Sequence, residues 1–129
     1  MRELDTVERN WSMAAHLSGA LAMFFLPVCS VAGPALVLLL HKDSPTITYH
    51  ARQALLFQAA MMASIWLLGA MGTALSCFLV GFLLYFVALV PWALGLAVPV
   101  WAGLQVNNGE SFRYPLIGRW VEEPPEQIW

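Results

Sequence analysis

Two long stretches of this chain contain no Asp, Glu, Lys or Arg: 31 residues from Asn10 to Leu40 and 57 residues from Gln53 to Gly109. A water-soluble domain needs charge across its surface. A helix facing lipid excludes it, because a charged side chain at the bilayer centre costs about 3 kcal/mol on insertion scales. The pattern therefore specifies an integral membrane protein, and a composition 60% hydrophobic and 11% charged agrees. A net charge of −2 with six scattered basic residues gives no clustered footprint for nucleic acid.

The polar start, Met1 to Asn10, is followed by an apolar run without a small-residue cleavage pattern and then by further apolar segments. It does not read as a removed signal peptide, and the N-terminus is expected to be retained. Cys29 and Cys77 form no CxxC pair and lie at no metal-ligand spacing from histidine, so neither a metal nor a cofactor is expected.

A helix needs about 20 apolar residues to cross a hydrocarbon core about 30 Å thick. Gln53 to Gly109 holds two such spans, separated where Gly69, Gly72, Thr73, Ser76, Cys77 and Gly81 cluster; the spans are expected at 52–75 and 78–104. The 31 residues of the first stretch are long for one straight span and short for two. Pro27, Gly33 and Pro34 in their middle allow a kinked span or a hairpin.

The basic residues favour the hairpin. Arg2 and Arg9 precede the first stretch, Lys42 and Arg52 follow it, and Arg113 and Arg119 follow the last span. Short basic flanks stay cytoplasmic. All three groups share one side only if the chain enters and returns between Asn10 and His41. The expected fold is an all-α polytopic membrane protein of four helices, the first two forming a short hairpin or re-entrant pair. The expected setting is the bacterial cytoplasmic (inner) membrane, with both termini cytoplasmic. A three-span chain with its N-terminus outside is the competing topology. Asp5 with Glu8 resembles a capping box, which starts the first helix near Thr6, and Gly33-Pro34 opens a short second helix ending at His41 or Lys42. Residues 1–10 form a polar N-terminus, 11–109 the helical membrane domain, and 110–129 an interfacial segment with an acidic, proline-containing tail.

Gly81, Ala88, Gly95 and Ala102 recur every seventh residue on the last span, and Ala63, Ala70 and Cys77 repeat likewise on the preceding one. Small residues on one stripe let membrane helices approach closely. A close-packed pair is expected, although Ala and Gly are also simply common in membrane helices. Pro91 and Pro99 free backbone carbonyls that need cover from neighbours. Cys29 and Cys77 should both lie near the outer face, where a disulfide requires Cα atoms about 4.4–6.8 Å apart.

Ionisable and amide side chains at membrane depth are costly and often functional. Here they are His16, Gln53 and Gln58, with His50 at the boundary. Helical spacing allows a cluster of His16, His50 and Gln58 on the cytoplasmic side. Its functional reading is a proton or substrate path, and its structural reading is a set of hydrogen bonds fixing helix register. No carboxylate lies in the apolar stretches to complete a catalytic constellation, so an enzyme is not expected. Beyond the turn signal Asn107-Asn108-Gly109, the residues Arg113, Tyr114, Arg119 and Trp120 mix aromatic rings with guanidinium groups, as in a segment lying among lipid headgroups.

Ala15-His16-Leu17-Ser18, Gly33-Pro34 with Lys42-Asp43-Ser44-Pro45, His50 with Ala54-Leu55 and Phe57-Gln58, and Asn107-Asn108-Gly109-Glu110 with Arg113-Tyr114-Pro115-Leu116 follow one another in order. Together they resemble a family of small bacterial membrane proteins of unknown function, itself similar to the small four-helix subunit of the chloroplast Tic protein import translocon. The resemblance covers about 10–116 and implies a four-helix membrane fold. Where that family has an acidic residue before the motif histidine and a polar one before Phe-Gln, this chain has Tyr49 and Leu56. The leading functional expectation is a non-enzymatic subunit or accessory of a membrane assembly for protein translocation or transport. Its partners would be the lipid bilayer, other membrane proteins or further copies in a homo-oligomer. The alternatives are a small channel or transporter lined by His16, His50 and Gln58, and an interfacial lipid-binding protein acting through Phe112 to Trp120.

Overall fold

The computed structural model describes residues 6–122. Asp5 of the expected capping box and the proline-containing tail lie outside the described residues. Four α-helices follow in order: α1 (Thr6–Phe25), α2 (Ala32–Leu40), α3 (Pro45–Ala74) and α4 (Leu79–Asn107). Both α3 and α4 are long and apolar enough to cross a membrane. The first uncharged stretch folds back on itself as a hairpin. Pro27 opens a 3-10 turn, Pro27–Cys29, where a missing N–H costs nothing, and Pro34 falls in the first turn of α2. Gly33 lies so close to Ser18 that a Cβ there would collide with the Ser18 side chain, which presses α2 onto α1.

The third helix begins seven residues before Arg52, earlier than the hydropathy pattern indicates. Ser44 caps it by accepting from the Ile47 N–H at 3.4 Å, and Pro45 occupies the first turn. Capping chemistry sets this start, and hydropathy is blind to it. The turn between α3 and α4 is short, and a Cβ on Gly81 would collide with the Leu75 backbone. α4 runs unbroken through Pro91 and Pro99, both buried.

Contacts along α1 fix the relative heights of the helices. Glu8 accepts from the Ser44 hydroxyl at 2.9 Å, His16 meets His50, and Phe24 lies 6.4 Å from Trp92, ring centre to ring centre. Trp92 is 13 residues into α4, so the α1–α2 hairpin stops about 20 Å short of the α3–α4 turn at 1.5 Å per residue. Beyond that level α3 and α4 stand as a pair with Trp66, Leu67, Leu79, Phe82 and Phe86 exposed. Cys29 lies in the hairpin turn and Cys77 ahead of α4, both as free, exposed thiols. The expectation of a shared outer plane fails because the hairpin is shorter than the helix pair it packs on.

The seven-residue stripe on α4 faces inward: Gly81, Gly95 and Ala102 are buried, whereas Ala88 is not. Ala63 and Ala70 of α3 lie outside the core, Cys77 falls in the turn beyond the helix, and α4 is met at Gly72, over which the Tyr85 ring lies. The matching stripe on α3 therefore points away from α4.

Candidate functional site

Among the described residues, a concentration of buried polar side chains lies at the end of the bundle where the N- and C-terminal segments meet. His16 projects from α1 and His50 from α3, and both are fully buried. Tyr114 arrives from the irregular segment after α4. Its side chain is 1% exposed, so it belongs to the core and not to the headgroup layer where its neighbours suggested it would lie. The Tyr114 hydroxyl is 3.0 Å from His16 Nδ1, and His16 Nε2 is 3.2 Å from His50 Nδ1. Burial pushes the Tyr114 phenol above its ordinary value, so it stays a hydroxyl able to donate. With the phenol donating, His16 accepts at Nδ1 and donates from Nε2 to His50, and the same chain can run in reverse with both tautomers exchanged.

Gln53 completes the knot. Its amide nitrogen donates to the Phe112 carbonyl at 3.3 Å, and its carbonyl accepts the Tyr114 N–H at 2.9 Å. One side chain thereby satisfies two backbone groups of an irregular segment, leaving that segment nothing to gain from unpeeling. Phe112 and Tyr114 both turn inward on the bundle, Tyr114 stacking 4.5 Å from Phe57, with Ala102 and Val106 completing the cluster. The close approach of Gly118 to Gln53 Oε1, 2.9 Å from where a Cβ would stand, leaves no room for a side chain. Arg113, Arg119 and Trp120 remain exposed, while Val121 returns to the core.

Gln58 sits apart from this knot. Its amide nitrogen donates to the Gly95 carbonyl at 3.0 Å. Pro99 stands four residues after Gly95, so that carbonyl has no intrahelical N–H partner. Gln58 thus covers the gap the proline leaves, linking α3 to α4 where Gly19 of α1 also packs. The expected three-member cluster divides into a His16–His50 pair, joined by Tyr114 and Gln53, and a separate Gln58 clamp. Farther along the helices, Ser64 bonds the Ala60 carbonyl of its own helix and Thr73 bonds Tyr85. No polar file joins the knot to the far turn among the described residues.

A reading of polar residues in apolar runs finds Gln53 without its partners and misses the inward role of Tyr114. Gln53 partners backbone, which leaves no mark in sequence, and Tyr114 lies among charged neighbours. The alternation of Phe112 and Tyr114 around Arg113 is the available signal, since residues two apart in extended chain share a face. Among the described residues no three His, Cys, Asp or Glu side chains gather as they would around a metal ion.

Residues 7–121 match the MamF_MmsF family, described as the magnetosome magnetite crystal formation protein family. No curated protein and no solved structure matches the chain. The family match overturns the resemblance to the Tic-related proteins. The residues that carried that resemblance, among them His16, Gly33, His50, Gln58 and Tyr114, prove to be packing and hydrogen-bonding residues of a small helical bundle. They report how helices fit together, which does not fix function. With the match spanning nearly the whole of the described structure, the chain belongs to the MamF_MmsF family of magnetosome magnetite crystal formation proteins.

Proposed function

We infer that this protein is a non-enzymatic, membrane-embedded component of magnetite crystal formation. In this reading its fixed surface, at the end of the bundle closed by residues 110–121, is the part that acts. The observation carrying it is the double hydrogen bond from Gln53 to the backbone of Phe112 and Tyr114. A segment that only tethered the chain to headgroups would not need a core aromatic pair and two buried backbone bonds to hold its shape. α3 and α4 cross the magnetosome membrane, α1 and α2 enter it from one side and return, and both termini lie in the cytoplasm, an orientation the basic flanks support. The outer half of the α3–α4 pair, exposed around Trp66 and Phe82, faces lipid, a second copy or another membrane protein.

The test is genetic and physical together. In a magnetite-forming cell lacking this protein, crystals should change in number or size and recover when the full chain is restored, and the chain should fractionate with magnetosome membranes after alkaline carbonate washing. Unchanged crystals in the deletion, or a chain released by carbonate, would refute the reading.

A further inference from the structure

Beside the knot, on the outside of α3, lies an open cleft of about 470 Å³ lined by Arg52, Leu55, Leu56, Trp120, Val121 and Glu122. Arg52 is the last charged residue before the 57-residue uncharged stretch, so the cleft stands where headgroups meet hydrocarbon. Its lining is graded. Arg52 and Glu122 provide opposite charges, Trp120 provides an exposed indole, and Leu55 and Leu56 lead along the outer side of the helix toward the apolar span. Among the described residues Arg52 and Glu122 form no ion pair with each other, although they line the same cleft.

We propose that this cleft binds a phospholipid of the phosphatidylethanolamine class. The Arg52 guanidinium takes the phosphate, for which its forked donors are suited. The Glu122 carboxylate accepts hydrogen bonds from the primary ammonium two carbons away, and one acyl chain lies along Leu55 and Leu56. Charge complementarity selects this occupant. A purely anionic headgroup would meet the Glu122 carboxylate with a like charge, and a choline headgroup has no N–H to donate to it. Indole and guanidinium at the boundary fit the interfacial layer, where tryptophan is enriched. The site follows from how the chain folds: Val121 anchors in the core and sets Trp120 and Glu122 beside Arg52, a residue far earlier in the chain.

The proposal rests on the membrane placement given above, and the fractionation described there tests that placement separately. The experiment here is native mass spectrometry of the full-length protein in detergent, titrated with phosphatidylethanolamine, phosphatidylglycerol and phosphatidylcholine of identical acyl chains. Phosphatidylethanolamine should be retained preferentially. Arg52→Gln should weaken its retention about tenfold, the loss of one charge-assisted hydrogen-bonded contact, and Glu122→Gln should abolish the preference over phosphatidylcholine. Both side chains are exposed, so the variants should keep their helical circular dichroism, which is recorded alongside. Equal retention of the three lipids, a preference for phosphatidylglycerol, or insensitivity to Arg52→Gln would overturn the proposal. Displacement of the lipid by millimolar inorganic phosphate would also overturn it, marking the cleft as a free-anion site.

Discussion

Removing one oxygen, in Tyr114→Phe, leaves the buried His16 Nδ1 without its hydroxyl partner while the ring packing against Phe57 is preserved. Leaving such a group unsatisfied costs about 1–3 kcal/mol, so the variant should melt at a lower temperature in detergent; an unchanged midpoint would show that the hydrogen bond contributes nothing. The phenol also makes a pH prediction. Because burial raises its pKa above 10.0, the protonated form is favoured by folding. That contribution is complete below the unfolded value and is lost as pH climbs above it. Wild-type stability should therefore decline above about pH 10 more steeply than that of Tyr114→Phe, and parallel profiles would contradict the assignment. Sequence exposed His16, His50 and Gln58 because each is polar within or beside an apolar run. It concealed the role of Tyr114, whose charged neighbours suggest a surface, and of Gln53, whose partners are backbone atoms without a residue signature.

Between helices, the fit of Gln58 to the carbonyl beneath Pro99 can be tested as a pair. Gln58→Leu should destabilise the wild type, since it strips cover from the Gly95 carbonyl. The same change should cost less in a Pro99→Ala background, where the alanine restores a backbone N–H that can bond that carbonyl within the helix. Additive losses in a thermal-unfolding double-mutant cycle would disprove the link. The glycines divide in the same way. Gly33→Ala must displace the short Ser18 side chain and Gly81→Ala the Leu75 backbone, whereas a Cβ on Gly69 meets nothing within 4 Å. The first two should lower folded yield and thermal midpoint while Gly69→Ala leaves both nearly unchanged; a reversed order would contradict the packing described. The α1–α2 hairpin was legible because charge placement and Gly33-Pro34 agree on it. The outward direction of Ala63 and Ala70 was not, because a seven-residue period identifies a stripe without saying which neighbour it faces.

Across the whole molecule, sequence conveyed helix number and the hairpin that brings the described N- and C-terminal segments to one end of the bundle, and it misdirected the family assignment. The motifs it offered are those a small bundle uses to hold itself together. The difference in reach between the two helical hairpins was also hidden, since it depends on which α1 residue meets which α4 residue. It makes the cysteines reporters: a charged, membrane-impermeant maleimide should modify Cys77 from the face opposite the termini and leave Cys29, about 20 Å short of that turn, unmodified until detergent is added. Equal labelling of both from one face would contradict a short hairpin. In the proposed function, the segment fixed by Gln53 is the working part of the protein in crystal formation. That role is tested most directly by electron microscopy of magnetite crystals in cells lacking the protein and complemented with wild type or Gln53→Ala, compared at equal membrane abundance. Wild type should restore crystal number and size and Gln53→Ala should not; full restoration by Gln53→Ala would rule out a working role for this segment.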